Sequence, residues 1–152
     1  MRLFCDEMLA RLGRWLRAAG YDTAIAEGGL ADPAIIAQCA VDGRTLLTRD
    51  RRLAAMAEGR VPVLRLADSS LAAQAPALRA ALAIDWQRAP VTRCLMDNTP
   101  LVAALADMAA LVPEKSRAAG GPLQLCPECH RLYWPGSHVR RMLVRLAEWN
   151  RP

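Results

Sequence analysis

Through its first eighty-five residues the chain alternates short apolar runs with longer stretches whose apolar positions recur every three or four residues. "RLFC" is an apolar run that ends at Asp6 and predicts a strand. In "DEMLARLGRWLRAAG", Met8, Leu12, Trp15, Leu16 and Ala19 fall at helical spacing, and Gly20 supplies the stop. Arg11, Arg14 and Arg17 step by three along a different stripe. "YDTAIA" predicts a second strand. After the turn signal "EGG", "ADPAIIAQCAVDG" predicts a helix with Asp32 as its N-cap, Pro33 at the first helical position and Gly43 as its end. "RTLLTRD" predicts a third strand that ends at Asp50, "RRLAAMAEG" a short helix, and "RVPVLRLAD" a fourth strand. "SSLAAQAPALRAALAID" reads mostly as helix, with Pro76 near a break. Strands alternating with helices predict an α/β fold around a parallel sheet. A receiver-like or another doubly wound domain shares this rhythm.

The rhythm stops near residue 86, which divides the chain into residues 1–86 and residues 87–152. In the second part "WQRAPVTRC" is extended, residues 99–112 suggest a short helix, and "EKSRAAGGP" reads as a loop. A cysteine-containing segment follows, and then a final helix, "HVRRMLVRLAEWN". Met142, Leu143, Leu146 and Trp149 share one face of that helix and are expected in a core.

A chain of 152 residues suits one ordinary domain, or a small domain with an appendage. No segment reaches the roughly 18–20 apolar residues needed to cross a bilayer. The longest, "LVAALADMAALV", is short and carries Asp107. Asp6, Glu7 and Arg11 interrupt any signal-peptide core. A cytoplasmic protein without a membrane partner is therefore expected. The five cysteines are an odd number, unlike a disulfide framework. Cys5 and Cys39 lie in apolar surroundings and are expected to be small core residues. The net charge is +5 and unevenly placed. Residues 1–85 hold eleven arginines against ten acids, whereas residues 86–152 hold nine basic residues against five acids. Nearly all the basic residues are arginine, which binds phosphate bidentately, so a polyanionic partner fits.

The candidate chemistry lies first in the acids. Asp6 follows the first strand, Asp50 the third, and Asp32 opens the second helix. In an open α/β sheet the carboxyl ends of the strands share one edge, and ligands bind there. If the first and third strands are neighbours, this edge gathers carboxylates that repel one another without a cation. Mg²⁺ or Mn²⁺ suits oxygen ligands, and the chemistry that follows is metal-assisted phosphodiester hydrolysis.

The second candidate is the pair of segments "TRCLMDN" and "LCPECHRLYWPGSH". Cys126 and Cys129 form one knuckle of a Zn²⁺ site. Cys94 begins a second knuckle, but Asp97 stands where its second cysteine would be. Three outcomes are open: Asp97 ligates through oxygen, His130 or His138 replaces it, or the cysteines pack without metal. A tail with so few core residues gains from a metal staple. Arg131, Tyr133, Trp134, His138, Arg140 and Arg141 mix aromatic and basic groups, which can stack on unpaired bases and hold phosphates. Tyr133 and Trp134 equally suit packing of the tail against the first domain.

Taken in order, "LFCDEMLARLGRWLRAAGYDT", "LLTRDRRL", "RC" and "CPECHRLYWPGSHVRRM" resemble the Mut-seven C-terminal RNase family over nearly the whole chain. The resemblance implies a PIN-like parallel-sheet sandwich joined to a small zinc-ribbon-like appendage. It also implies a ribonuclease acting on single-stranded RNA with a divalent metal. Carried onto this sequence, Asp6 in "CDEML" and Asp50 in "LLTRD" match the family's acidic motifs, and Asp32 matches more loosely. Asp68 or Glu7 would be a fourth acid. Arg14, Arg49 and Arg51 are candidate phosphate clamps. Arg131, Trp134, His138 and Arg141 are candidate RNA contacts. No organic cofactor is expected, and no protein partner is indicated. The reading from a different class is a non-catalytic RNA-binding or protein-interaction module with an incomplete acidic site.

Overall fold

The computed structural model describes residues 1–118 and 120–151. Four short strands, β1 (Arg2–Cys5), β2 (Asp22–Ile25), β3 (Thr45–Thr48) and β4 (Val63–Arg65), form one parallel sheet in the order β2-β1-β3-β4. The first and third strands are thus the central pair, with Cys5 opposite Leu47. Helices α1 (Ala10–Ala18), α2 (Asp32–Asp42), α3 (Arg51–Ala57) and α4 (Leu71–Leu82) follow the strands in turn.

Alternation along the strands sends side chains to two cores, as the period of two requires. Leu3, Cys5 and Leu47 join Leu12 and Leu16 of α1 and Leu78 of α4 on one face. Phe4 and Leu46 join Ile35, Ile36 and Cys39 of α2 and Leu53 of α3 on the other. Cys5 and Cys39 are both buried core residues. Burial raises both thiols, that of Cys39 to about 11.

Several local expectations are corrected. The N-cap of α2 is Ala31, without a side-chain cap bond, and Asp32 is the first helical residue. Pro33 already fixes a helical start, so the carboxylate is not needed as a cap. Pro76 does not break α4, which runs unbroken because Ala75 and Leu78 are buried in the first core. Residues 99–112 are not an α-helix. Val102–Ala103 is a strand, β5, and Ala106–Leu111 is a 3-10 helix. Glu114–Ala118, expected in a loop, is a short helix, α5; Ala119 of that stretch lies outside the described residues.

β5 pairs antiparallel with β6 (Gln124–Leu125), which pairs with β7 (Leu132–Tyr133). The last helix, α6 (Ser137–Trp149), buries Met142 and Leu146 in the first core, whereas Leu143 is 38% exposed. Trp149 meets Trp15 and the fully buried Trp86 edge-on, at 4.9 and 5.0 Å. The segment leading to the tail crosses the end of α1. Ala89 N–H bonds to Ala19, and Val91 N–H to Ala18. Gly20 permits this crossing: its φ is +91°, and a Cβ there would lie 2.4 Å from the Ala89 carbonyl. No helix among the described residues is long and apolar enough to cross a membrane.

Candidate active site and metal centre

Because β1 and β3 are adjacent and parallel, Asp6 and Asp50 stand at neighbouring carboxyl ends of the sheet. Asp6 is only 5% exposed, and a buried carboxylate needs donors. It caps the 3-10 turn Glu7–Leu9, with Leu9 N–H donating to Oδ1 at 3.0 Å. Its Oδ2 accepts from Arg49 N–H at 3.3 Å and from the Thr48 hydroxyl. The same Thr48 oxygen accepts from Asp50 N–H at 2.9 Å. Thr48, fully buried, is therefore a bridge that ties the Asp6 carboxylate to the Asp50 backbone. Asp50 is exposed and caps α3, and both cap bonds, from Arg52 and Leu53, fall on Oδ1.

The remaining acids are placed differently. Asp32 is partly buried at the start of α2. Glu7 accepts from Gly29 N–H at 2.6 Å and so pins the β2–α2 loop to the end of β1. Asp68 is exposed; the Ser70 amide on its carboxylate, with the Arg49 charge contributing, holds its carboxyl below the usual range. Arg49 sends its guanidinium into partly buried surroundings, where Nε has no partner. Arg51 is exposed at the first position of α3.

The cysteine group is drawn together from three segments. Cys94, Asp97, Cys126 and Cys129 bring one ligand atom each within 4.8 Å of one another. Among the described residues this is the one group of three or more such side chains drawn that close; Asp6, Asp32 and Asp50 do not form another. Cys94 Sγ lies 3.6 Å from Cys129 Sγ, and the Cys126 thiol donates to Asp97 Oδ2 at 3.3 Å. A tetrahedron with metal–sulfur bonds of about 2.3 Å has edges of about 3.8 Å, so three thiols and a carboxylate at these separations fit Zn²⁺.

The two halves of the group share one backbone geometry. Asn98 N–H bonds to the Cys94 carbonyl, and Cys94 N–H to the Thr99 carbonyl. His130 N–H bonds to the Cys126 carbonyl, and Cys126 N–H to the Arg131 carbonyl. Asn98 and His130 both take left-handed φ values, 71° and 58°. Asp97 thus occupies, in the first knuckle, the place Cys129 holds in the second. Neither His130 nor His138 belongs to the group. The neighbouring Asp97 carboxylate pushes the Cys129 thiol up. Tyr133 supports the first knuckle: its hydroxyl donates to Cys94 Sγ and accepts from Leu95 N–H.

That knuckle is fastened to the sheet by Asn98 and by Arg17, whose place on a stripe with Arg11 and Arg14 gives no sign of this role. Arg17, 4% exposed, donates to the carbonyls of Thr23, Leu95 and Met96. Asn98 accepts from Thr23 N–H on the open edge of β2 and donates to the Asp22 carboxylate. Thr48 was also missed. Its signal is a Thr two residues before an Asp at a strand end, where a hydroxyl reaches the next turn's amide.

Arg14, Arg131, Trp134 and His138 line one cleft of about 750 Å³ between α1, the first knuckle and the start of α6. Arg141 lies outside it, in a groove of about 440 Å³ along α6. Neither a curated protein nor a solved structure matches the chain. The family model described as the Mut7-C RNAse domain matches residues 1–146, so the chain belongs to that family and its function is of the ribonuclease type.

Proposed function

We propose that the protein is a metal-dependent ribonuclease that hydrolyses phosphodiester bonds of single-stranded RNA, with its C-terminal part aiding RNA binding. The observation that carries this reading is the Thr48 bridge between Asp6 and Asp50 at adjoining strand ends. The two carboxylates stand at the edge where open α/β sheets bind ligands. Asp6 and Asp50 would hold Mg²⁺ or Mn²⁺, with Asp32 as a further ligand or as a base that positions water. A set of so few carboxylates suits a hard cation that keeps several of its own waters. Bound there, the ion supplies a more acidic water and neutralises charge on the phosphate. The protein's own part is to keep Asp6 fixed through its three donors, so that no reorganisation is needed as charge develops. Arg49 and Arg51 flank Asp50 and would clamp phosphate oxygens. In this reading residues 1–86 form the PIN-like nuclease part. Residues 87–152 form an appendage stapled by Zn²⁺ on Cys94, Asp97, Cys126 and Cys129. A cytoplasmic location goes with this reading.

The test is cleavage of single-stranded RNA by purified protein with Mg²⁺ or Mn²⁺, against the double variant Asp6→Asn, Asp50→Asn. Cutting by the wild type and none by the double variant is the expected result. A second reading, a non-catalytic RNA-binding or protein-interaction module, draws on Asp6, Asp32 and Asp50 not gathering into one close cluster among the described residues. Wild-type protein that binds RNA without cutting it, or a double variant that cuts equally well, decides for that reading.

A further inference from the structure

We infer that the cleft between α1 and the start of α6 is a subsite for one unpaired nucleotide of an RNA strand. Trp134 would stack on the base, and Arg14 and Arg131 would hold its phosphate. The inference rests on RNA as the substrate class, and adds where on the protein a base is recognised.

The cleft's volume of about 750 Å³ falls within the usual range for small-ligand sites, about 300–1,000 Å³. Its chemistry is divided as a nucleotide's is. Trp134, Leu95, Leu132 and Val139 give apolar and aromatic surface, while Arg14 and Arg131 give two guanidinium groups from distant parts of the chain. Among the described residues no carboxylate lines it. Ser137 and His138 put hydroxyl and imidazole groups within the same walls, suited to the edge of a base. The indole lies close against Gly136: a Cβ there would lie 2.6 Å from Trp134 Nε1, so a larger residue would force the ring to shift. Trp134 is half-buried, which leaves part of the ring for stacking.

The surroundings favour a strand over a free nucleotide. The cleft shares Ser137 with the groove that carries Arg140, Arg141 and Arg145; Arg145 is paired with Glu148 there, so the net positive surface continues along α6 through Arg140 and Arg141. In the other direction Arg14 is eight residues beyond Asp6 on the same helical stretch. That is about 12 Å of rise, which an unpaired strand spans in a few nucleotides at about 3.4 Å each when stacked.

The experiment measures binding in the Asp6→Asn, Asp50→Asn background, by fluorescence anisotropy with two labelled ten-nucleotide RNAs, one normal and one abasic throughout. Trp134→Ala should weaken the normal RNA about 5- to 100-fold and remove most of its advantage over the abasic one. Trp134→Phe should restore most of that advantage. Arg14→Ala and Arg131→Ala, at exposed positions, should weaken both RNAs alike and lower the salt slope by about one each. The subsite is overturned if Trp134→Ala keeps the preference for bases. It is equally overturned if both arginine variants bind unchanged, the result that a protein-docking cleft gives. Displacement of the normal RNA by micromolar uridine monophosphate would identify a free nucleotide as the ligand and overturn the strand. Cleavage is read separately. Absence of cutting with base-dependent binding sinks the nuclease reading alone, and cutting with base-independent binding sinks the subsite alone.

Discussion

The guanidinium of Arg17, on α1, donates to the carbonyl of Met96 in the first cysteine knuckle at 2.7 Å. The same group holds the carbonyls of Leu95 and Thr23, so one side chain joins the helix, the edge strand and the knuckle. Burial lowers its pKa from the usual arginine value, yet every bond it makes here is to a neutral carbonyl. Arg17→Met should cost about 3 kcal/mol, because three carbonyls lose their donor at roughly 1 kcal/mol each. For a chain of this length that lowers the melting temperature by about 6–12 °C. Arg17→Lys should recover little, since an ammonium cannot reproduce the planar fork. Thermal melts of the two variants check this, and an unchanged midpoint for Arg17→Met removes Arg17 as the fastener.

Thr48→Val keeps the shape of the side chain and removes the hydroxyl that joins Asp6 to Asp50. Stability should fall by about 1–2 kcal/mol, from one lost buried bond and one amide left unpaired. RNA cleavage should fall further, about 10- to 100-fold in kcat with little change in KM, because a carboxylate left with two of its three donors is less well preorganised. Thr48→Ser should restore the rate. A KM effect with kcat unchanged would place Thr48 outside the positioning of Asp6.

The sequence made both carboxylate positions legible, because strand ends and helix starts are marked by period changes and by Asp itself. It did not make Arg17 legible. Steps of three residues turn an α-helix by about 300°, so Arg11, Arg14 and Arg17 drift by roughly 120° in all. Arg11 and Arg14 stay exposed while Arg17 turns inward. Only tertiary carbonyls, invisible in a local pattern, make that burial tolerable. Residues 102–103 misled for a related reason. "LVAAL" has helical propensity, but a two-residue strand is decided by its partner β6, not by its own period. The cysteines were legible as a group. The equivalence of the two knuckles was not, since it lies in backbone bonds and in the φ values of Asn98 and His130.

Asp22 contributes to the acid sensitivity of the fold. Its partial burial opposes charge, but bonds from Arg44 and Asn98 outweigh that and hold its carboxyl down at about 2. A pKa lowered on folding contributes stability that is complete above the unfolded value, about 4, and is lost as pH falls through the folded value. From about pH 4 down to pH 2 the wild type should therefore lose roughly 2 kcal/mol through this group. Asp22→Asn should be less stable at pH 7 and should show a flatter profile over that window. Denaturant melts at pH 2, 3, 4 and 7 check this. Parallel profiles for the two proteins would move the acid sensitivity to another carboxylate.

Asp97 poses the sharpest question about the tail, because its backbone already has the form that a cysteine takes at position 129. Its carboxylate lies 3.3–3.5 Å from Cys126 Sγ, and Thr99 N–H donates to it at 3.0 Å. Asp97→Cys should place a fourth thiolate at the same corner without moving the chain. A softer donor should tighten Zn²⁺ by about tenfold or more. By linkage, each tenfold is about 1.4 kcal/mol of stability for the metal-loaded protein, about 3–5 °C in melting temperature. Asp97→Ala should weaken Zn²⁺ and lower the metal-loaded midpoint, leaving three protein ligands. Competition with a chromophoric chelator, paired with melts at fixed Zn²⁺, reads both quantities. If Zn²⁺ affinity and melting temperature are the same in the wild type, Asp97→Cys and Asp97→Ala, then Asp97 is not a ligand and three cysteines hold the metal without it.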